Sequence, residues 1–376
     1  MMKKDIIHYD CRYFKGEIPC VFHKQEGVKC DTCKYYDKIA VKILIIKLDA
    51  IGDVLRTTCI LQGLKEKYKF AHITWITHKT AIELFKNNEY VDVVLEYSPS
   101  SLIQIQLEKY DIVISLDTAP VSARIAMLAK SDKKLGFGYH ERGFVYPLNK
   151  EAEKWFKMGL FDDIKKANTQ TYQSIILEIC GLKPEKYDII FRLSKEEIEY
   201  INQRFVTIKD NNDALIIGLN TGAGTRWQLK AWTLQGYCRL IKLIQERINK
   251  CKILLLGGPE EIDRNRYILQ RCNDVIDTGC DNTLREFGAI VNLCDIVVTG
   301  DTLALHIAVA LKKKVVALFG PTSYTEIDIY GKGRKVYADI DCLCCYKKTC
   351  DIHPNCMELI TPEMVMTAIE ELIGVK

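Results

Sequence analysis

Cys342, Cys344, Cys345, Cys350 and Cys356 fall within fifteen residues. Cys342 and Cys345 form a Cys-x-x-Cys pair, and with Cys350 and Cys356 they supply four thiolates able to close a tetrahedral site around zinc or iron. Cys11, Cys20, Cys30 and Cys33 make a second set of four, and reduced, unligated thiols are the alternative for each. Gly222-Ala223-Gly224 follows an apolar run, but Trp227 stands where a dinucleotide fingerprint needs its third glycine. No Gly-Lys-Ser/Thr phosphate loop occurs either, so nicotinamide and ATPase chemistry lose ground. What remains is a series of turns rich in Gly, Thr and Asp, each leading into a helix whose free amides and dipole favour phosphate. Asp53 lies at such a turn, where it either points into a crevice or complements the dipole of its own helix. Thr302 and His306 are four apart and share one helix face.

These residues need strands and helices to hold them. Val41 to Ile46 is a short apolar run, followed by a glycine turn and a periodic segment with Val54, Leu55, Thr58, Leu61 and Leu64, which predicts strand, turn and amphipathic helix. Ile73–Thr77, Val91–Leu95 and Ile112–Ser115 read as further strands of a parallel sheet. The alternation restarts with a strand over Leu215–Leu219, a helix over Trp232–Ile248, a strand over Ile253–Leu256 and a helix over Glu260–Arg271. It continues through strands at Ile296–Val298 and Val315–Phe319. A capped helix begins near Leu193–Ile198, close to the boundary between the halves. Two doubly wound α/β domains facing each other leave a crevice at the carboxyl ends of their strands, where such sheets bind ligands.

A chain of 376 residues with 48% hydrophobic and 27% charged content is long enough for two cored domains. The first ten residues lack the apolar stretch of a secretory signal, and no window approaches a membrane span, so the expectation is a cytoplasmic, soluble protein. A formal charge of +4, spread in runs such as Lys312-Lys313-Lys314, suits an anionic acceptor or membrane surface and falls short of a nucleic-acid footprint. Sixteen cysteines in such a compartment stay reduced rather than forming a disulfide framework. The isolated ones, Cys59, Cys180, Cys238, Cys251, Cys272, Cys280 and Cys294, read as buried small hydrophobes.

The segment Ile45 to Thr58, with Asp49-Ala50-Ile51-Gly52-Asp53 at its centre, resembles the opening signature of glycosyltransferase family 9, the bacterial heptosyltransferases. Four more segments agree in order: Asn220 to Arg226 with Lys230-Ala231-Trp232, Leu255 to Glu261, Gly300 to His306, and Ala317 to Thr322. The resemblance covers about residues 41 to 373. It implies a GT-B fold, two Rossmann-like domains facing a central crevice, with the activated sugar held by the C-terminal domain and the acceptor by the N-terminal one. It implies inversion at the anomeric carbon, with Asp53 as general base and Asp49, four residues away, as the next carboxylate to consider. Thr221, Gly222, Thr225, Arg226 and Lys230 match the family's phosphate-holding loop, Glu260 or its neighbour Glu261 the carboxylate on the nucleoside ribose, and Asp301, Thr302 and His306 the Asp-Ser/Thr-Gly-x-x-His element. Leu303 departs from the family glycine, and Asp49-Ala50 replaces the commoner Ser-Ser.

The reading is an inverting transferase that moves a sugar, heptose from ADP-heptose, to an anionic glycolipid or glycan acceptor of the lipopolysaccharide core, with peripheral contact at the inner membrane. Another nucleotide sugar or a protein acceptor fits the same scaffold. A metal-cluster or redox protein on a degenerate transferase scaffold is the rival of another class. The expected divisions are a Cys-rich leader over 1–38, an acceptor domain over 39–200 and a nucleotide-sugar domain over 201–376. Asp339-Ile340-Asp341 is the one Asp-x-Asp triplet of the kind that holds a donor's metal. It lies outside every matched motif, so transfer is expected to require no cofactor. Zinc or iron at either cysteine set would lie away from the chemistry and serve structure alone.

Overall fold

The computed structural model describes residues 6–184, 187–206, 214–224 and 227–374. The first sheet comprises β1 (Val41–Ile46), β2 (Ala71–Thr77), β3 (Val93–Glu96), β4 (Ile112–Ser115), β5 (Lys133–His140) and β6 (Phe144–Pro147). The second comprises β7 (Leu215–Asn220), β8 (Cys251–Leu256), β9 (Val275–Asp277), β10 (Ile296–Gly300), β11 (Lys314–Phe319) and β12 (Gly333–Tyr337). Strand order is β3-β2-β1-β4-β5-β6 in one and β9-β8-β7-β10-β11-β12 in the other, the same doubly wound arrangement twice. All pairings are parallel except β5 with β6. β1, β7, β8 and β10 are apolar runs rather than alternating patterns because both faces of a parallel sheet are covered by helices.

Most expected elements are present, and the differences have local causes. β3 begins at Val93, because the Asp92 carboxylate accepts from Ile73 N at 2.7 Å and pairs with Lys65 at 3.0 Å, which ends the ladder there. The helix expected from Trp232 starts at Leu234, capped by Thr233, whose hydroxyl accepts from Gly236 N at 3.0 Å. Trp232 is instead buried, donating Nε1 to Ile360 O at 2.9 Å. The helix expected from Glu260 is a short 3-10 turn over Pro259–Glu261 followed by a helix over Ile262–Leu269. The β5–β6 hairpin carries no expectation from the sequence, since its apolar residues are too few and too exposed to mark a buried strand.

Ser194 and Glu197 form a reciprocal capping box on the helix Lys195–Arg204, as expected of a capped helix near 193–198. Glu197 also accepts from Arg285 Nη2 and Nε at 2.8 and 3.0 Å. The Arg285 hydrogen bonds hold its pKa down to about 2 against the effect of burial. That pair ties the connecting helix to the helix Leu284–Leu293 of the second sheet's domain. One apolar cluster runs continuously from Ile43 and Trp75 on the first sheet to Val297 and Phe319 on the second. Of the isolated cysteines, Cys59, Cys180, Cys272 and Cys294 are buried, while Cys238, Cys251 and Cys280 are half-buried. Among the described residues no helix is long and apolar enough to cross a membrane.

Candidate active site

Between the carboxyl ends of the two sheets lies a cavity of about 870 Å³, with walls from both domains. On the N-terminal side, the turn leaving β1 is fixed by a buried ion pair. Asp117, beyond β4, accepts from Lys47 Nζ, from Leu48 N at 2.7 Å and from Ser122 Oγ at 2.9 Å. With every charge partnered, this pair locks the turn from which the helix Ile51–Thr57 springs.

Asp53 occupies the first turn of that helix and lines the cavity. Its side chain is 35% exposed, open enough to meet an acceptor, and Arg56 Nη2 is 2.8 Å away. Burial alone would raise its pKa, but Arg56, Lys47, His306 and the Ala50 amide outweigh it and hold the carboxylate well below its ordinary value. In that first turn its charge also complements the dipole of its own helix. Arg56 is largely but not fully buried, its guanidinium stacked 3.7 Å from the Tyr172 ring centroid. Its Nε has no hydrogen-bond partner among the described residues.

The opposite wall is built by the loops after β7, β8 and β10. Gly222, Gly224 and Lys230 line the cavity. Thr221 does not: it is fully buried, and its hydroxyl donates inward to Asn265 Oδ1 at 2.6 Å. Thr225 and Arg226 lie outside the described residues. Glu261, rather than Glu260, reaches the cavity, accepting from Gly258 N at 2.9 Å and Gly224 N at 3.3 Å. A Cβ at Gly222 would stand 1.9 Å from Glu261 Oε1, so any side chain there would have to displace that carboxylate.

Lys230 Nζ binds Asp301 Oδ2 at 2.8 Å and its carbonyl oxygen at 3.1 Å, and both residues line the cavity. Burial would raise the Asp301 pKa, but Lys230 and His306 hold it below normal. Thr302 caps the helix Leu303–Ala310 and shares its hydroxyl with Thr299 at 3.0 Å, and His306 lies one turn on, 3.9 Å from Asp301. Leu303 also faces the cavity. This helix meets Ile51–Thr57 at Gly52, where a Cβ would come within 3.1 Å of the His306 ring.

The cavity gathers residues that no matched motif flagged: Trp155, Lys165, Trp227, Asn282, Glu326 and Tyr346. Glu326 stands four residues beyond the Phe319-Gly320-Pro321-Thr322 segment, and burial raises its pKa. None of the C-terminal cysteines lines the cavity, but Tyr346 brings their loop to its edge. This residue, directly after Cys345, lines the cavity and donates its hydroxyl to Glu326 Oε1 at 2.9 Å. The next residue, Lys347, accepts from Trp227 Nε1 at 2.9 Å. The loop is drawn in because Cys344 N and Tyr346 N donate to the Gly320 and Pro321 carbonyls at 3.1 and 2.8 Å. Asp339 and Asp341 are exposed and Asp49 is 64% exposed; none of them lines the cavity.

His306 gives a test of this electrostatic arrangement. Burial, reinforced by Arg56 and only partly opposed by Asp301, pushes its pKa from 6.5 down to about 4. The folded state therefore resists a proton that the unfolded chain accepts, so stability falls as pH drops from 6.5 towards 4. About 2 kcal/mol should be lost by pH 5 on this account, from the 1.36 kcal/mol per pH unit between the two values. Asp53 and Asp301, with lowered values, act only in a more acid window. Urea unfolding at pH 7 and pH 5 should show this loss in the parent and not in His306→Gln; equal losses in both would assign the titration to another group.

Residues 101–355 match the family model described as "Glycosyltransferase family 9 (heptosyltransferase)". A lipooligosaccharide heptosyltransferase 2 of Campylobacter jejuni is 23% identical over 345 residues, covering 88% of this chain and 99% of that protein. A glycosyltransferase family 9 structure from Veillonella parvula superposes with a TM-score of 0.71 at 16% identity, covering 90% of this chain and 98% of its own. The E. coli ADP-heptose lipopolysaccharide heptosyltransferase II gives 0.66 at 20% identity, covering 89% and 98%. Two doubly wound sheets facing one cleft are the GT-B architecture, and with the family model matching more than half of its length the chain belongs to glycosyltransferase family 9 and is a glycosyltransferase.

Proposed function

We propose that the protein transfers heptose from ADP-heptose to a hydroxyl of an anionic lipopolysaccharide-core glycolipid, in one inverting displacement at the cytoplasmic face of the inner membrane. The observation that carries this reading is the pairing of Asp53 on one wall of the cavity with Lys230, Asp301 and His306 on the other. Asp53 takes the acceptor proton as the hydroxyl oxygen bonds to the anomeric carbon and the bond to the diphosphate breaks. Lys230 and the amides at Gly222 and Ala223 receive the departing charge, which needs no bound cofactor. A carboxylate of low pKa serves as base when the proton leaves late, because bond formation to carbon makes the hydroxyl far more acidic.

The reading goes with a division into a leader over 1–38, an acceptor domain over 39–200 and a donor domain over 201–376. Beside the cavity, after Trp155 and Met158, Leu160 and Phe161 are 60% and 52% exposed, with Lys157 and Lys166 exposed nearby. An apolar edge flanked by lysines favours an amphiphilic anionic acceptor. Cys342, Cys345, Cys350 and Cys356 are proposed to hold zinc or iron. The four thiols fall within fifteen residues of one irregular segment, and as placed they do not yet form a metal site among the described residues. Such an ion would brace the loop that delivers Tyr346.

ADP should raise the melting temperature by several degrees at saturation with chelator present, as a ligand of the folded state must. No shift with ADP or any other nucleoside diphosphate would reject the donor assignment.

A further inference from the structure

The leader is a folded segment without a core: no residue between 6 and 40 is fully buried. Its regular structure amounts to a six-residue helix, Val21–Glu26, a 3-10 turn at Cys30–Thr32 and a single bridge between Cys11 and Lys38. So small a segment does not gain enough from burial to offset the entropy of ordering it, and such modules are ordinarily held by disulfides or a metal. Its four cysteines are free thiols, all half-buried.

All four, Cys11, Cys20, Cys30 and Cys33, line one small cavity of about 30 Å³, closed by Phe22 and Tyr35. Those two rings stack at 3.9 Å and shield the thiols from water. Each cysteine reaches the cavity from a separate, backbone-defined position. Cys11 sits at the bridge, Cys20 caps the helix, and Cys30 and Cys33 flank a turn closed by Cys33 N donating to Cys30 O at 3.3 Å. Among the described residues no group of three or more His, Cys, Asp or Glu side chains is placed so that it could hold a metal ion. The backbone nevertheless brings all four thiols to one cavity, so closure calls for side-chain rotation towards its centre.

We propose that Cys11, Cys20, Cys30 and Cys33 bind one tetrahedral ion, zinc or iron, as thiolates, and that this ion holds residues 6–40 folded. The thiols release their protons to solvent on binding, and no electron is transferred. Arg12, held within the module by Asp37 at 3.0 Å, clamps it to the domain through Asp92 and through the Ala71 carbonyl at 3.2 Å. Ala71 and Asp92 stand at the amino ends of β2 and β3, the edge away from the cleft. The ion's role is therefore structural and separate from transfer, and the inference does not rest on the proposed function.

The test uses full-length protein carrying Cys342→Ser and Cys345→Ser, so that the leader is the remaining four-cysteine set, purified without oxygen. Elemental analysis should find about one ion per chain, and adding Cys30→Ser with Cys33→Ser should abolish it. Cobalt exchanged for the native ion should show the visible bands of a tetrahedral tetrathiolate. With the parent protein, a strong chelator should expose the leader to trypsin at Lys15, Lys24 or Lys34 while the ADP-induced thermal shift persists. That second readout keeps the proposal open to refutation should the quadruple variant fail to fold. Metal content unaffected by Cys30 and Cys33, two disulfides after thiol blocking, or unchanged proteolysis under chelation would each overturn it.

Discussion

Asp53→Asn should lower turnover about 10²–10⁴-fold, the usual contribution of a positioned general base. The amide keeps the shape and can still face Arg56, but it cannot take the acceptor proton. The Asp53 side chain is open to the cavity and within 2.8 Å of Arg56, which orients it rather than covering it. ADP affinity by calorimetry should change little, since the residue stands on the wall opposite Lys230, and circular dichroism should be unaltered. Near-normal turnover would move the proton-accepting role to another carboxylate. Asp49 is the neighbour in sequence, yet it is exposed and off the cavity, 3.6 Å from His78. Glu326, which lines the cavity and has a raised pKa, would be the next to replace.

Lys230→Ala should weaken ADP binding by about 1.5–3 kcal/mol, roughly 10- to 150-fold, as measured by calorimetry. The upper end is expected, because the lysine does two things. It offers its charge to the diphosphate, and it neutralises Asp301 at 2.8 Å, where both side chains are less than one-fifth exposed. Removal leaves a buried anion facing an anionic ligand. Lys230→Ala with Asp301→Asn should therefore recover part of the loss, a coupling that a double-variant cycle reads directly. Unchanged ADP affinity in the single variant would confine Lys230 to holding Asp301.

The strands that carry this site were legible because buried parallel strands are written as unbroken apolar runs, as in Ile43 to Ile46 and Ile296 to Val298. Asp53, Lys230, Asp301 and His306 were legible because each follows such a run in a matched motif. Glu260 against Glu261 was not decidable from sequence: the short 3-10 turn after Gly258 rotates one carboxylate inward and leaves its neighbour outside. Thr221 looked like a phosphate ligand, but its hydroxyl is satisfied by Asn265, forty-four residues on, a pairing no local pattern records. Arg56 lay inside a quoted motif, yet its importance rests on Tyr172, which reaches it only through the tertiary fold. Tyr346 was hidden for the same reason, since backbone hydrogen bonds to Gly320 and Pro321 draw a cysteine-rich loop into the cleft.

The contact between Gly52 and His306 has a mechanical consequence. Two helices from different domains touch there, one bearing Asp53 and the other following Asp301. Rotation of the domains about that contact displaces each group in proportion to its distance from it. In a rotation of that kind Asp53, the residue after Gly52, would move least. A hinge at that point would let the cleft change its opening while Gly52 and His306 keep their spacing, as the jaws of a pair of pliers open without parting at the rivet.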